Sequence, residues 1–177
     1  MDVYLSSALA KVTPGTVLLW LALACLTGAF TCLLWKLGRL RRASAILLPL
    51  LVFYLAFMLT ITLVDRVPAR RARYMLRLFW SYRAIASGAT GLIAEIFWNV
   101  VLFVPPGAMG AALLPRRSWA AVPACFLLSA GIEIAQLMTR RGLFEWDDMV
   151  HNILGAAIGL ALYLALREAA ALKRRKP

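Results

Sequence analysis

The chain has 177 residues, 63% of them hydrophobic, a mean hydropathy of +0.79, and a net charge of +12 from 20 Lys and Arg against 8 Asp and Glu. Such an apolar balance excludes a soluble domain of this size and predicts one all-α membrane domain spanning the whole chain. The basic excess would suggest nucleic acid in a soluble protein, but here it brackets apolar runs and no nucleic-acid module appears. Headgroup contact and topology signals explain it better, so membrane lipids are the expected partners and nucleic acid is not.

A hydrocarbon core needs about 20 apolar residues of helix. Five stretches qualify, near residues 16–35, 45–64, 89–114, 119–138 and 149–166. The first follows a charged region of only Lys11, and the residues before Cys25 lack the Leu of a lipoprotein cleavage site. It therefore reads as a spanning helix rather than a signal peptide. Cys25, Cys32 and Cys125 all lie in apolar runs without metal-ligand spacing, which points to small buried residues.

A short basic loop, KLGRLRR (36–42), follows the first span. The second loop begins at Asp65 and carries Arg66, Arg70, Arg71, Arg73, Arg77 and Arg83. Its middle, RYMLRLFWSYR (73–83), mixes Arg with Leu, Phe, Trp and Tyr, the composition of an amphipathic helix lying in the interface. With five spans the termini lie on opposite sides. Lys and Arg divide almost evenly between the two, and the basic tail at 173–176 favours an N-out, C-in orientation.

Polar residues inside the apolar runs need partners or a function. Glu95 and Asn99 share a helix face, and Pro105, Pro106 and Gly107 follow as a break in the third span. That break either lines a wet cavity or kinks the chain near the surface. Ser129, Glu133 and Gln136 form a second stripe, and Asp148, Asn152, Gly155 and Gly159 a third, whose glycines permit close helix approach. Packed inward, these stripes would bring Glu95 and Glu133 together with Asn99, Gln136 and Asn152. Two buried carboxylates so placed could relay protons, act as acid and base, or bind a cationic group. Gln136 and Asn152 also suit plain interhelical hydrogen bonding.

In the loop RRGLFEWDD (140–148), Asp147 or Asp148 could cap the fifth helix. Arg140 and Arg141 could pair with these acids or, like Arg73, Arg77 and Arg83, with lipid headgroups. The three carboxylates offer too few oxygens to guarantee a hard-cation site, so no metal and no cofactor is expected. His151 reads as an interface residue.

The stretches EIFWNVVLFVPPG (95–107), SAGIEIAQ (129–136) and DDMVHNILGAAIG (147–159) together resemble the VanZ-like family of small bacterial membrane proteins, over a signature region of about 89–166. Departures are Glu145, where Asp is expected after the Phe, and arginines before Phe144 displaced by about one position. The resemblance implies a bacterial cytoplasmic-membrane protein. It carries over Glu95, Asn99, Pro105, Gly107, Glu133, Gln136, Asp148, Asn152 and Gly155 as a polar site, and a link to low-level resistance to the glycopeptide teicoplanin.

Three functions compete. The first is a membrane protein that changes glycopeptide susceptibility, handling a lipid-linked cell-wall precursor or the glycopeptide itself. The second is an intramembrane enzyme on a polyprenyl or phospholipid substrate, with Glu95 and Glu133 as acid and base. The third is an assembly partner whose polar stripes only pack helices.

Overall fold

The computed structural model describes residues 12–64 and 66–175, the Arg175 side chain excepted. Lys11, Asp65 and Lys176, which entered the reading of the N-terminus, second loop and tail, lie outside the described residues.

Among the described residues, five helices are long and apolar enough to cross a bilayer, and they form a multi-pass membrane bundle. Helix α1 covers Pro14–Lys36 and α2 Arg42–Leu59, the latter prolonged by a π-helical turn at Thr60–Val64. A short strand β1 (Arg73–Met75) and a two-turn helix α3 (Trp80–Ala86) occupy the second loop. Then come α4 (Leu92–Leu113), α5 (Ala121–Thr139, entered through a 3₁₀ turn at Ser118–Ala120), β2 (Leu143–Glu145) and α6 (Trp146–Arg175).

Within the second loop, the expected continuous amphipathic helix over 73–83 is not formed. Arg73, Tyr74 and Met75 are extended and pair in parallel with Leu143, Phe144 and Glu145. Phe79 then turns the chain through the left-handed region (φ 59°) into α3. A neighbouring strand offers backbone partners that an isolated helix of this length would have to find alone. The pairing also places the second and fourth loops at the same end of the bundle, as an alternating five-span topology requires.

Helices α4 and α6 form the tightest contact. A Cβ on Gly155 would fall on the Val100 carbonyl oxygen, and one on Gly159 on that of Val104. On Gly107 it would lie 2.7 Å from the Ala156 Cα. Backbone meets backbone here, which only glycine permits. Around this seam Met58, Phe103, Cys125, Ile132 and Ala156 form the core. Helix α1 lies against α2 through Trp20, edge-on to Phe53 and Phe57, its indole N–H donating to Thr60 Oγ1 at 3.0 Å. Of the cysteines expected to be buried, Cys125 is; Cys25 faces the exterior of α1, where lipid accepts a small apolar side chain as readily as a core does.

Pro105 and Pro106 do not break α4, which runs through both. Pro106 cannot donate to the Leu102 carbonyl four residues earlier; the Tyr54 hydroxyl donates to it instead, at 2.9 Å. The same repair serves α2. Pro49 leaves the Ala45 carbonyl without its helical donor, and Thr31 Oγ1 supplies one at 3.0 Å. In a solvent without donors, these two orphaned carbonyls are answered by hydroxyls from adjacent helices.

Tyr54→Phe should therefore lower stability by about 1 kcal/mol in detergent thermal unfolding. Gly155→Ala should cost about 1–3 kcal/mol, because backbone cannot move aside as a side chain would.

Candidate functional site

The end of the bundle that holds β1 and β2 gathers most of the polar stripe residues. Glu133, 2% exposed, lies near the C-terminal end of α5 and accepts a hydrogen bond from the Glu145 backbone N–H at 2.9 Å. Asp148, in the first turn of α6, accepts from Asn99 Nδ2 of α4 at 2.7 Å. Glu95, one turn before Asn99, is exposed and lies within electrostatic range of both Asp148 and Glu145. Arg66, just past the π-helical turn, is the cation that faces Glu133 and Asp148. Carboxylates from α4, α5, β2 and α6 thus gather here, two of them, Glu133 and Asp148, facing the Arg66 guanidinium.

The expected convergence is therefore partly altered. Asp148 and Glu145 each lie within electrostatic range of both Glu95 and Glu133, as α6 packs closely on α4 and β2 leads into it. Gln136 points away from the acids to donate to the Thr62 carbonyl at 3.2 Å, on the turn that ends the second span. Asn152 donates to Ser129 Oγ at 2.8 Å, a wholly buried pair joining α5 to α6. Gly107 and Gly155 shape the α4–α6 seam rather than a polar space, and Pro105 lies half-buried within α4.

Asp147 caps a helix, but not its own. It accepts from the backbone N–H groups of Phe79 and Ser81 and from Ser81 Oγ, the last at 2.6 Å. These are the donors that open α3, so a carboxylate 1% exposed anchors the second loop onto the fifth span. His151 is likewise buried rather than interfacial, at 1% exposure, because the loop folds back over it: its Nε2 lies 2.9 Å from the Tyr82 hydroxyl. Loop 66–91 is thereby held across the acidic end like a cover.

The arginines separate into two kinds. Arg141 is used inside the fold, donating to the Leu63 and Val64 carbonyls that end the second span. The Arg140 backbone takes a left-handed conformation (φ 59°), and its carbonyl accepts from the Ala69 N–H at 2.8 Å. Arg73, Arg77 and Arg83 are exposed on the covering loop, where a headgroup phosphate could reach them.

Burial raises Glu145 to about 7 from an ordinary 4.5, and the neighbouring Asp148 charge adds to the rise. The Trp80 indole N–H, which makes no hydrogen bond of good geometry, lies near enough to offset part of it. Three further buried atoms lack a hydrogen-bond partner among the described residues: Gln136 Oε1, His151 Nδ1 and Asn152 Oδ1. No described group of three or more His, Cys, Asp or Glu side chains is disposed to hold a metal ion. The arrangement can exchange protons or hold a cationic or hydroxyl-rich group against carboxylates.

Glu145 entered the sequence reading only as one of three loop carboxylates, while Arg66, Ser81 and Tyr82 escaped it as site members. Nothing in their local spacing distinguishes them, since each joins the site through a contact across the chain.

Two outcomes follow. Because folding raises the Glu145 pKa, the native state holds that proton more tightly than the unfolded chain. Stability should fall as pH rises from about 4.5 to about 7, and Glu145→Gln should flatten this slope in detergent thermal unfolding. Asp147→Ala should release the covering loop, seen as faster hydrogen exchange at the Phe79 and Ser81 amides while the core of α4 stays protected.

The VanZ/LLP1 family matches residues 44–167, from the start of the second span through most of the fifth. No curated protein and no solved structure matches the chain. The matched region contains every carboxylate of the acidic end described above and leaves out α1, which packs at the edge of the bundle. With that match over well more than half its length, the chain belongs to the VanZ/LLP1 family.

Proposed function

We propose that the protein handles a lipid-linked component of the bacterial cell envelope at its acidic end, and that this handling lowers susceptibility to the glycopeptide teicoplanin. The observation that carries the reading is the gathering of Glu95, Glu133, Glu145 and Asp148 at one end of the bundle, with Arg66 facing Glu133 and Asp148. A headgroup entering from the bilayer would reach exposed Glu95 first and the deeper acids after it. Carboxylates suit protonated amines and sugar or peptide hydroxyls, and Arg66 suits a phosphate. The exposed Arg73, Arg77 and Arg83 would add headgroup contacts along the cover. On this reading the membrane is the bacterial cytoplasmic membrane, with the acidic end outside.

A second reading favours chemistry on the same lipid. The carboxylate of Glu133 is fixed by the Glu145 N–H, and Asp148 by Asn99. Held acids of this kind are what general acid–base work on a lipid phosphate or ester needs. Glu133 would then act as one partner and Glu95, free to meet substrate, as the other.

Expression in a susceptible host provides the test. The wild-type chain should raise the inhibitory concentration of teicoplanin, and Glu133→Gln, made to the same membrane level, should return it to that of the empty vector. No rise from well-expressed wild type would remove the resistance role. An equal rise from wild type and Glu133→Gln would assign the acids to packing within an assembly. Conversion of a polyprenyl or phospholipid by purified protein, lost in Glu133→Gln, would select the enzymatic reading.

A further inference from the structure

The opposite end of the bundle carries a second polar feature, unrelated to the acids. Arg41, at the start of α2, and Arg116 and Arg117, in the loop before α5, line a groove of about 530 Å³ with Leu113, Leu114 and Pro115. Among the described residues, no acidic side chain lines it. The groove is braced from both sides. Arg41 Nη2 donates to the Leu113 carbonyl at 2.8 Å and to Ser44 Oγ at 3.3 Å, while Arg167 of α6 donates to the Pro115 carbonyl at 3.3 Å. These bonds answer carbonyls at the end of α4 that would otherwise repel an anion. Arg116 and Arg117 remain exposed.

Trp119, 65% exposed, sits two residues beyond Arg117, and aromatic side chains of this kind settle at headgroup depth. An apolar wall of Leu113, Leu114 and Pro115 beside three guanidinium groups fits one chemistry: a phosphate diester joined to acyl chains. We propose that this groove binds the phosphate of an anionic membrane phospholipid, with Arg116 and Arg117 as the direct contacts and Arg41 as the fixed charge behind them. Arg41 already supports the end of α4, so its loss would confound stability with binding. Arg116 and Arg117 make no such contact, and they carry the test.

Full-length protein in a zwitterionic detergent is titrated with phosphatidylglycerol, with phosphatidylcholine and with inorganic phosphate while its thermal midpoint is followed. A ligand that binds only the folded state raises the midpoint with its concentration. Phosphatidylglycerol should raise it, phosphatidylcholine should do so much less, and added salt should reduce the gain. The R116Q/R117Q variant should lose the phosphatidylglycerol gain, whereas K173Q/R174Q on the adjacent tail should keep it. Equal stabilisation by both lipids, or a gain retained in R116Q/R117Q, would overturn the site. Equal stabilisation by millimolar inorganic phosphate would overturn the lipid as its ligand. Should R116Q/R117Q fail to fold, native mass spectrometry of the wild type decides: phosphatidylglycerol retained over phosphatidylcholine supports the groove, and no preference rejects it.

Discussion

The contact between α4 and α6 is the constraint on which the remaining structure depends. Gly107, Gly155 and Gly159 let the two backbones touch, and any side chain there would collide with a carbonyl or amide that cannot yield. In lipid no hydrophobic force draws helices together, so close backbone packing must supply what burial supplies in water. The approach fixes the rotation of α6 about its axis. That rotation sends Asp148 to Asn99, Asn152 to Ser129 and His151 toward the covering loop. A small turn of α6 would separate every one of these pairs.

Proline and polar side chains then divide the remaining work. Helices α2 and α4 keep their course through Pro49 and Pro106 because Thr31 and Tyr54 restore the missing donors from neighbouring helices. Loop arginines do the same at helix ends, Arg141 for the second span and Arg41 for the fourth helix. Part of the basic excess thus serves backbone carbonyls at helix ends. The two ends of the bundle consequently differ in kind, one collecting carboxylates around Arg66 and the other presenting arginines beside an apolar wall.

The covering loop ties the acidic end together. Asp147 holds the start of α3, Tyr82 meets His151, and β1 pairs with β2. None of these links is local in sequence. Each joins the second loop to the segment at 143–151, so Asp147 and His151 are enclosed only once the chain has folded as a whole. The protonation of Glu145 belongs to the same enclosure, since its rise comes from burial beneath that cover.

Five apolar runs, the three polar stripes and the glycine spacing were legible in the residues themselves, because the bilayer imposes helix length and 3.6-residue periodicity on any chain that spans it. The family pattern was legible for the same reason: its polar positions lie at fixed helical offsets. Rotation and cross-chain pairing were not. Periodicity tells which residues share a face, but not which face meets which. Gln136 therefore proved to serve Thr62 rather than the acids, Asp147 to cap a helix elsewhere, and Arg66 to join a site that its own neighbours do not announce. Pro105 and Pro106 read locally as a break, yet the helix runs through both, with a tyrosine on another span replacing the donor that Pro106 lacks. Sequence alone indicated five runs long and apolar enough to cross a bilayer and which side chains needed company; only packing in three dimensions decided what company each one has.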